Sequence, residues 1–331
     1  MRTLWQPIAR HRKLLLAAAV ALSSLVPASS YALTEVRVAL TSPTVGTPEI
    51  RAGISKGIFE KHGLKLALTS LPSGTENIAA AVSGSVDIAF ADIFAGLNAV
   101  ANGFDIKLLA SNHTTQYDVY FLVSKDSPIR EPKDLKGKQI ALGAVPFYSV
   151  FAKAFLEANG VEASAVKLTL LRQPAALGEA LASGQVDAIQ SLGSPTFQWR
   201  AQYGFRVVGN PDTSAFQNPQ ATLAAWWATS RWANANTETA RKFAGALRET
   251  YTWWQALPPI ERAAYLKEIT GIDAVAVEKV LPGALKAITH SNVIGRAIDV
   301  PATREWVETG KRFGGVPKGV ELDAVLFETA R

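Results

Sequence analysis

The feature that most restricts the fold is a rhythm written twice. Residues 83–87 read SGSVD and residues 183–187 read SGQVD, each after an alanine-rich stretch and before an apolar run. Around the first phrase, EVRVALT (35–41), LKLALTSL (64–71), VDIAFAD (86–92) and DIKLLASN (105–112) are expected strands. Between them PEIRAGISKGIFEKHG (48–63), TENIAAAVS (75–83) and IFAGLNAVANG (93–103) have the periodicity of helices, each with a glycine at its end. Strands alternating with short helices imply βαβ crossovers and a mainly parallel sheet.

The series then restarts. DVYFLVSKDSPI (118–129) is a long extended run, and a polar connector follows it. Strands are expected over 139–144, 166–172, 186–192 and 205–210, with helices over 148–160, 175–183 and 195–204. ATLAAWWATS (221–230) is a further extended run, and from Thr237 onward the pattern is helical. Each SG-x-VD phrase is thus the end of a helix, its glycine cap, and the third strand of its own series. The expected fold is α/β and two-lobed, with two mainly parallel βαβ lobes joined by two crossing strands and a helical C-terminus. Lobe one is placed at 34–117 plus 223–331, and lobe two at 118–222.

The first 32 residues stand apart. Arg2, Arg10, Arg12 and Lys13 precede the apolar run LLLAAAVALSSLV (14–26), and Ser30 and Ala32 stand where a signal peptidase reads small residues. A secretory signal peptide with cleavage after Ala32 is expected, the run being short for a membrane span. With no Cys in the chain, a lipid-anchored variant is excluded. The segment carries four of the 34 basic residues and none of the 28 acidic ones, so 30 face 28 in the remainder, a net charge of +2. No basic block remains to suggest nucleic acid or an anionic membrane as partner. The absence of Cys also removes disulfides, thiolate nucleophiles and thiolate metal sites.

In an open parallel sheet ligands lie beyond the carboxyl ends of the strands, where helix N-termini point their free N–H groups. The corresponding turns here are rich in small polar residues. Thr41, Ser42 and Thr44 follow the first strand; Ser73, Gly74 and Thr75 follow the second, where helix capping and ligand contact fit equally well. Asp92 reads first as the cap of the helix over 93–102; as a ligand group, its charge suits an ammonium or hydroxyl and not a sulfonate. Gly143, Gln173 and Ser194 occupy the matching turns of the second series, with Arg172 as a further cation. Among the aromatics, Phe147, Tyr148 and Trp226 are placed beside the cleft; Trp226 and Trp227 must face opposite sides of a strand. His113 is the histidine nearest the cleft, but no carboxylate pairs with it in the sequence. No nucleophile elbow, phosphate loop, dinucleotide fingerprint or zinc-helix motif is present, so no catalytic residues, metal or cofactor are assigned.

The stretch SKGIFEKHGLKLALTSLPSGTENIAAAVSGSVDIAFADIFAGLNAVANGFDIKLLA (55–110) resembles the first-lobe signature of periplasmic solute-binding proteins for sulfonates, taurine and nitrate, the NMT1/THI5-like family. DLKGKQIALG and LEANGV…ALASGQVDAIQSLGSP resemble the matching second-lobe parts. The resemblance implies a periplasmic, monomeric protein without cofactor that closes over a small molecule and delivers it to an ABC-type membrane permease. It maps ligand contacts onto the loop at 41–47, onto Ser73 and Gly74, onto the Ala91–Asp92 turn, and onto Gly143, Gln173 and Ser194. GAVPFYS (143–149) departs from the family's Gly followed by Ser or Thr, so an aromatic or larger organic anion stands beside taurine as a ligand. A receptor-linked sensor and a THI5-like enzyme are the alternatives, the latter carrying a cysteine pattern that this chain lacks.

Overall fold

The computed structural model describes residues 32–41, 48–113, 119–173, 175–209, 221–290 and 293–331. The expected signal segment lies outside them apart from Ala32. The strands are β1 (Thr34–Leu40), β2 (Leu64–Ser70), β3 (Ile88–Asp92), β4 (Ile106–His113), β5 (Val119–Val123), β6 (Gln139–Gly143), β7 (Lys167–Leu171), β8 (Ala188–Leu192), β9 (Arg206–Gly209), β10 (Ala224–Thr229) and β11 (Val293–Ile294). Between and after them run α1 (Pro48–Ser55), α2 (Ile58–Lys61), α3 (Gly74–Val82), α4 (Ile93–Ala101), α5 (Pro146–Ala158), α6 (Ala176–Ala182) and α7 (Ser194–Tyr203). The C-terminal helices are α8 (Ser230–Ala235), α9 (Thr237–Ala256), α10 (Pro259–Thr270), α11 (Ala274–Val280), α12 (Ala284–Ile288) and α13 (Val300–Arg312). The single helix expected over 48–63 is two, because Gly57 takes a left-handed φ of 74° and stops the first.

Two mixed sheets result, one in the order β11-β4-β10-β3-β1-β2 and one in the order β7-β6-β8-β5-β9. Within each, the first three strands of a series pair in parallel, and the fourth is separated from the third by one antiparallel strand. That inserted strand is the one arriving from the other half of the chain: β5 in the second sheet, β10 in the first. The two extended runs expected to cross between lobes therefore each become an interior strand of a sheet.

The repeated phrase has a shared geometry. Gly84 and Gly184 have left-handed φ values of 77° and 74°, turning each helix into the following strand. Asp87 N–H donates to the Arg37 carbonyl at 2.8 Å, and Arg37 N–H donates back to the Asp87 carboxylate at 2.8 Å. Asp187 and Gln139 repeat the exchange at 3.0 and 2.8 Å. In both lobes the aspartate extends the parallel ladder by one rung beyond the last backbone pair, satisfying an N–H that would otherwise lack a partner. Val86 and Val186, beside them, are buried.

On one face of the first sheet α1, α2 and α9 cover Val36, Val38, Leu40, Phe90 and Trp226. The opposite face joins a larger cluster that runs through Phe94 of α4, Trp306 of α13, and Phe147 and Phe151 of α5 into the second sheet. The C-terminal helices thus touch both halves: α13 packs on α4 and α5, while α11 and α12 pack on α7.

Candidate functional site

The carboxyl ends of β1, β2 and β3 in one sheet and of β6, β7 and β8 in the other carry the turns singled out above. Ser73 caps α3, its Oγ accepting from Glu76 N–H at 3.2 Å. Gly74 is buried against the next turn; a Cβ there would lie 3.0 Å from Ala91 Cα, so a larger residue would push the two turns apart. Thr75 is exposed, and Thr41 half-buried at the end of β1. Ser42 and Thr44 lie outside the described residues. His113 is the last residue of β4, in register with Val293 of β11.

Asp92 ends β3 and caps α4, its Oδ1 accepting from Ala95 N–H at 3.0 Å. Desolvation pushes its carboxyl up to about 6, against the opposing pull of the Ala95 and Phe94 amides. Some of its surface remains accessible, but among the described residues no cation acts on it. Across from it in the second lobe stands Tyr148, in the first turn of α5 and 8% exposed. Burial pushes its phenol up to about 12, and the charge of Asp92 adds to that shift. The phenol therefore stays protonated at physiological pH. Its ring rests on Gly143, where a Cβ would come within 2.5 Å of it; only glycine at the end of β6 leaves that space.

The other expected site residues divide. Phe147 meets Tyr148 edge-on with ring centroids 5.4 Å apart, but its opposite side packs on Trp306 at 5.9 Å, inside the core. Gln173 is exposed beyond β7, as is Arg172, and Ser194 is half-buried at the first turn of α7. Trp226 requires correction. It and Trp227 do face opposite sides of β10, yet both are fully buried. Trp226 is held between Phe90 at 5.0 Å and Phe243 at 5.3 Å, on the α9 face and away from the strand ends. An aromatic pair in a strand between two others is covered on both faces, so neither ring borders a cleft.

A second polar group was not singled out from the sequence. Glu49 of α1 is buried and acts on Arg262 of α10, which in turn acts on His290 just after α12. Burial lowers the pKa of Arg262, of His290 and of Arg200 on α7. Glu49, Arg262 and His290 gather where α1, α10 and α12 meet, drawn from positions far apart in the chain, while Arg200 lies over the Phe197 ring of its own helix. Their signal in the sequence is only an arginine beside an apolar helix face, which is common. Among the described residues no group of three or more His, Asp or Glu comes together as a metal site would require. Two surface hollows lie elsewhere, one of about 290 Å³ bordered by Ser124, Asp126 and Asp187 and one of about 370 Å³ by Arg241, Arg248 and Arg331. Neither touches the helix starts.

The family description NMT1/THI5 like matches residues 48–259, from α1 through the start of α10. The chain belongs to the NMT1/THI5-like family. Both SG-x-VD phrases and every described turn of the candidate site except Thr41 fall within the part matched to the NMT1/THI5-like pattern. No match emerged among curated protein sequences. Among solved structures the chain is similar to the alkanesulfonate-binding protein SsuA from Xanthomonas axonopodis pv. citri bound to MOPS, with a TM-score of 0.73 at 19% identity over 88% of this chain and 98% of that one. The periplasmic aliphatic sulphonate binding protein SsuA from Escherichia coli gives a TM-score of 0.71 at 19% identity, over 89% and 98%. The desulfurization enzyme DszB gives 0.59 at 14% identity, over 89% and 97%. Likeness at these identities establishes the two-lobed fold of periplasmic binding proteins for this NMT1/THI5-like chain.

Proposed function

We propose that this protein is the substrate-binding component of an ABC importer, capturing a small organic anion between its lobes by hinge closure and presenting it to a membrane permease. In this reading residues 1–32 direct export to the periplasm, where the protein works as a monomer. Lobe one comprises 34–117 with 223–331, and lobe two 118–222. The observation that carries the proposal is that Asp92 at the start of α4 and Tyr148 at the start of α5, each following a strand of a different sheet, come near enough for the charge of one to act on the other, in a fold shared with two sulfonate-binding proteins. Tyr148 is 8% exposed, so a guest reaches it only when the lobes part. Helix N-termini and hydroxyls would then hold the anion, and closure would strip its water.

DszB has the same fold and is an enzyme, but a chain with no Cys has no thiol with which to attack a substrate. Thermal melts with taurine, alkanesulfonates, aromatic sulfonates, carboxylates, nitrate and thiamin precursors test the proposal. An organic anion should stabilise the protein by about 2.7 kcal/mol at a hundredfold excess over its dissociation constant and be recovered unchanged. A panel without any shift, or a ligand recovered as product, would overturn it.

A further inference from the structure

The joint between the two lobes turns on one glycine, and its consequence for binding rests on the role proposed above. Beyond α13 the chain continues as Phe313, Gly314 and Gly315. Gly314 takes a left-handed φ of 77°, which folds the chain back so that Gly315 N–H donates to the Gly310 carbonyl at 2.8 Å. Asn98 of α4 donates from Nδ2 to the Gly315 carbonyl at 2.6 Å. Gly310 is also close to α4, since a Cβ on it would stand 2.6 Å from the Phe94 ring. Gly315 is therefore tied to a helix of the first sheet. Its other side meets a helix of the second sheet: a Cβ at 315 would overlap Val150 Cγ2 of α5 while standing 3.5 Å from the Phe94 ring. Val150 and Phe94 are both buried, so neither can swing into solvent to make room. Lys153 of α5 donates from Nζ to the Phe313 carbonyl at 3.1 Å and draws the same two parts together. Phe94 lies two residues beyond Asp92, and Val150 two beyond Tyr148, so the joint is continuous with the helix starts of the candidate site.

We infer that Gly315 is a spacer: its missing side chain sets how closely α5 approaches α4, and through that approach the affinity of the protein for its guest, without touching the guest. It is a positioning residue. With a side chain at 315, α5 must stand off from α4, and the lobes stop short of the arrangement in which Tyr148 is 8% exposed. The closed form is then less populated, and the complex releases its guest sooner.

Distances between spin labels test this. The chain has no Cys, so Glu76→Cys and Glu179→Cys, both at exposed positions, place one label on each lobe. In that background Gly315→Ala should lengthen the mean label separation of the guest-free protein by several ångström. Adding Val150→Ala, which removes the methyl in the way, should restore it. Lys153→Met should lengthen the separation by less, and it decides the matter should Gly315→Ala fail to fold. Stopped-flow titration with taurine, propanesulfonate and benzenesulfonate supplies the second measurement. For each compound that binds the wild type, Gly315→Ala should weaken affinity about tenfold, through faster release and not slower capture, and Val150→Ala should recover it. An unchanged separation in folded Gly315→Ala, or in Lys153→Met where the first does not fold, overturns the inference, as does a lengthening that Val150→Ala leaves in place. Failure of all three compounds to bind the wild type overturns the binding role instead, while the label distances still decide the spacer.

Discussion

The two halves share a plan but end their helices' first turns differently. After the second and third strands of lobe one, Ser73 and Asp92 supply side chains that cap α3 and α4. At the matching places in lobe two stand Ala175 and Gly193, and neither caps α6 or α7. Lobe one meets part of that demand with side chains, whereas in lobe two backbone carbonyls take the first-turn N–H groups of Tyr148, Ala176 and Thr196 at 3.0–3.1 Å, and Pro146 and Pro195 carry none. Equal topology has not produced equal capping: side chains do in one half what backbone carbonyls do in the other.

That contrast can be tested at three strengths. The strongest test removes what the halves share. Trp306 is buried against Phe94 of lobe one, at 4.7 Å, and against Phe147 and Phe151 of lobe two. Trp306→Ala should cost about 3–5 kcal/mol in urea denaturation and split one unfolding transition into two; an unsplit transition would mean the lobes remain coupled without it. A smaller effect belongs to Asp92. Because the carboxyl of Asp92 is raised to about 6, the folded state holds its proton where the unfolded chain has lost it. Stability should therefore fall as pH rises from about 4 to about 6, by on the order of 1–2 kcal/mol once its residual exposure is discounted, and level off above. Asp92→Asn should flatten that slope, while Tyr148, on which the Asp92 charge acts, stays protonated throughout. The smallest test compares the twin aspartates. Asp87 also holds the Arg37 guanidinium at 2.7 and 3.1 Å, a partner that Asp187 lacks because Gln139 takes the place of Arg37. Asp87→Ala should cost about 2 kcal/mol and Asp187→Ala about 1, and Arg37→Gln should narrow the gap.

Much of this was legible in the chain because it is local. Hydrophobic period, glycine caps and the twice-written SG-x-VD phrase specify strands, helices and their order within a few residues of each other. The departures come from contacts that sequence spacing does not encode. Gly57 breaks a helix whose apolar pattern continues across it. The carboxylates of Asp87 and Asp187 reach strands 50 and 48 residues away, a bond with no signature in the phrase itself. Trp226 was misplaced because alternation gives the face of a strand but not what covers that face. Asp92 read correctly as a cap; its position opposite Tyr148 needed both lobes in place. Glu49, Arg262 and His290 come together only through packing of helices distant in sequence.

The seat of Trp306 constrains the hinge movement proposed above. One indole is gripped by rings from both halves, so separating them obliges it to stay with Phe94 or to leave with Phe147 and Phe151. Close-packed rings favour discrete alternatives over gradual stretching. The protein would then move like a latch with two detents, its resting positions set by a tryptophan from the far end of the chain.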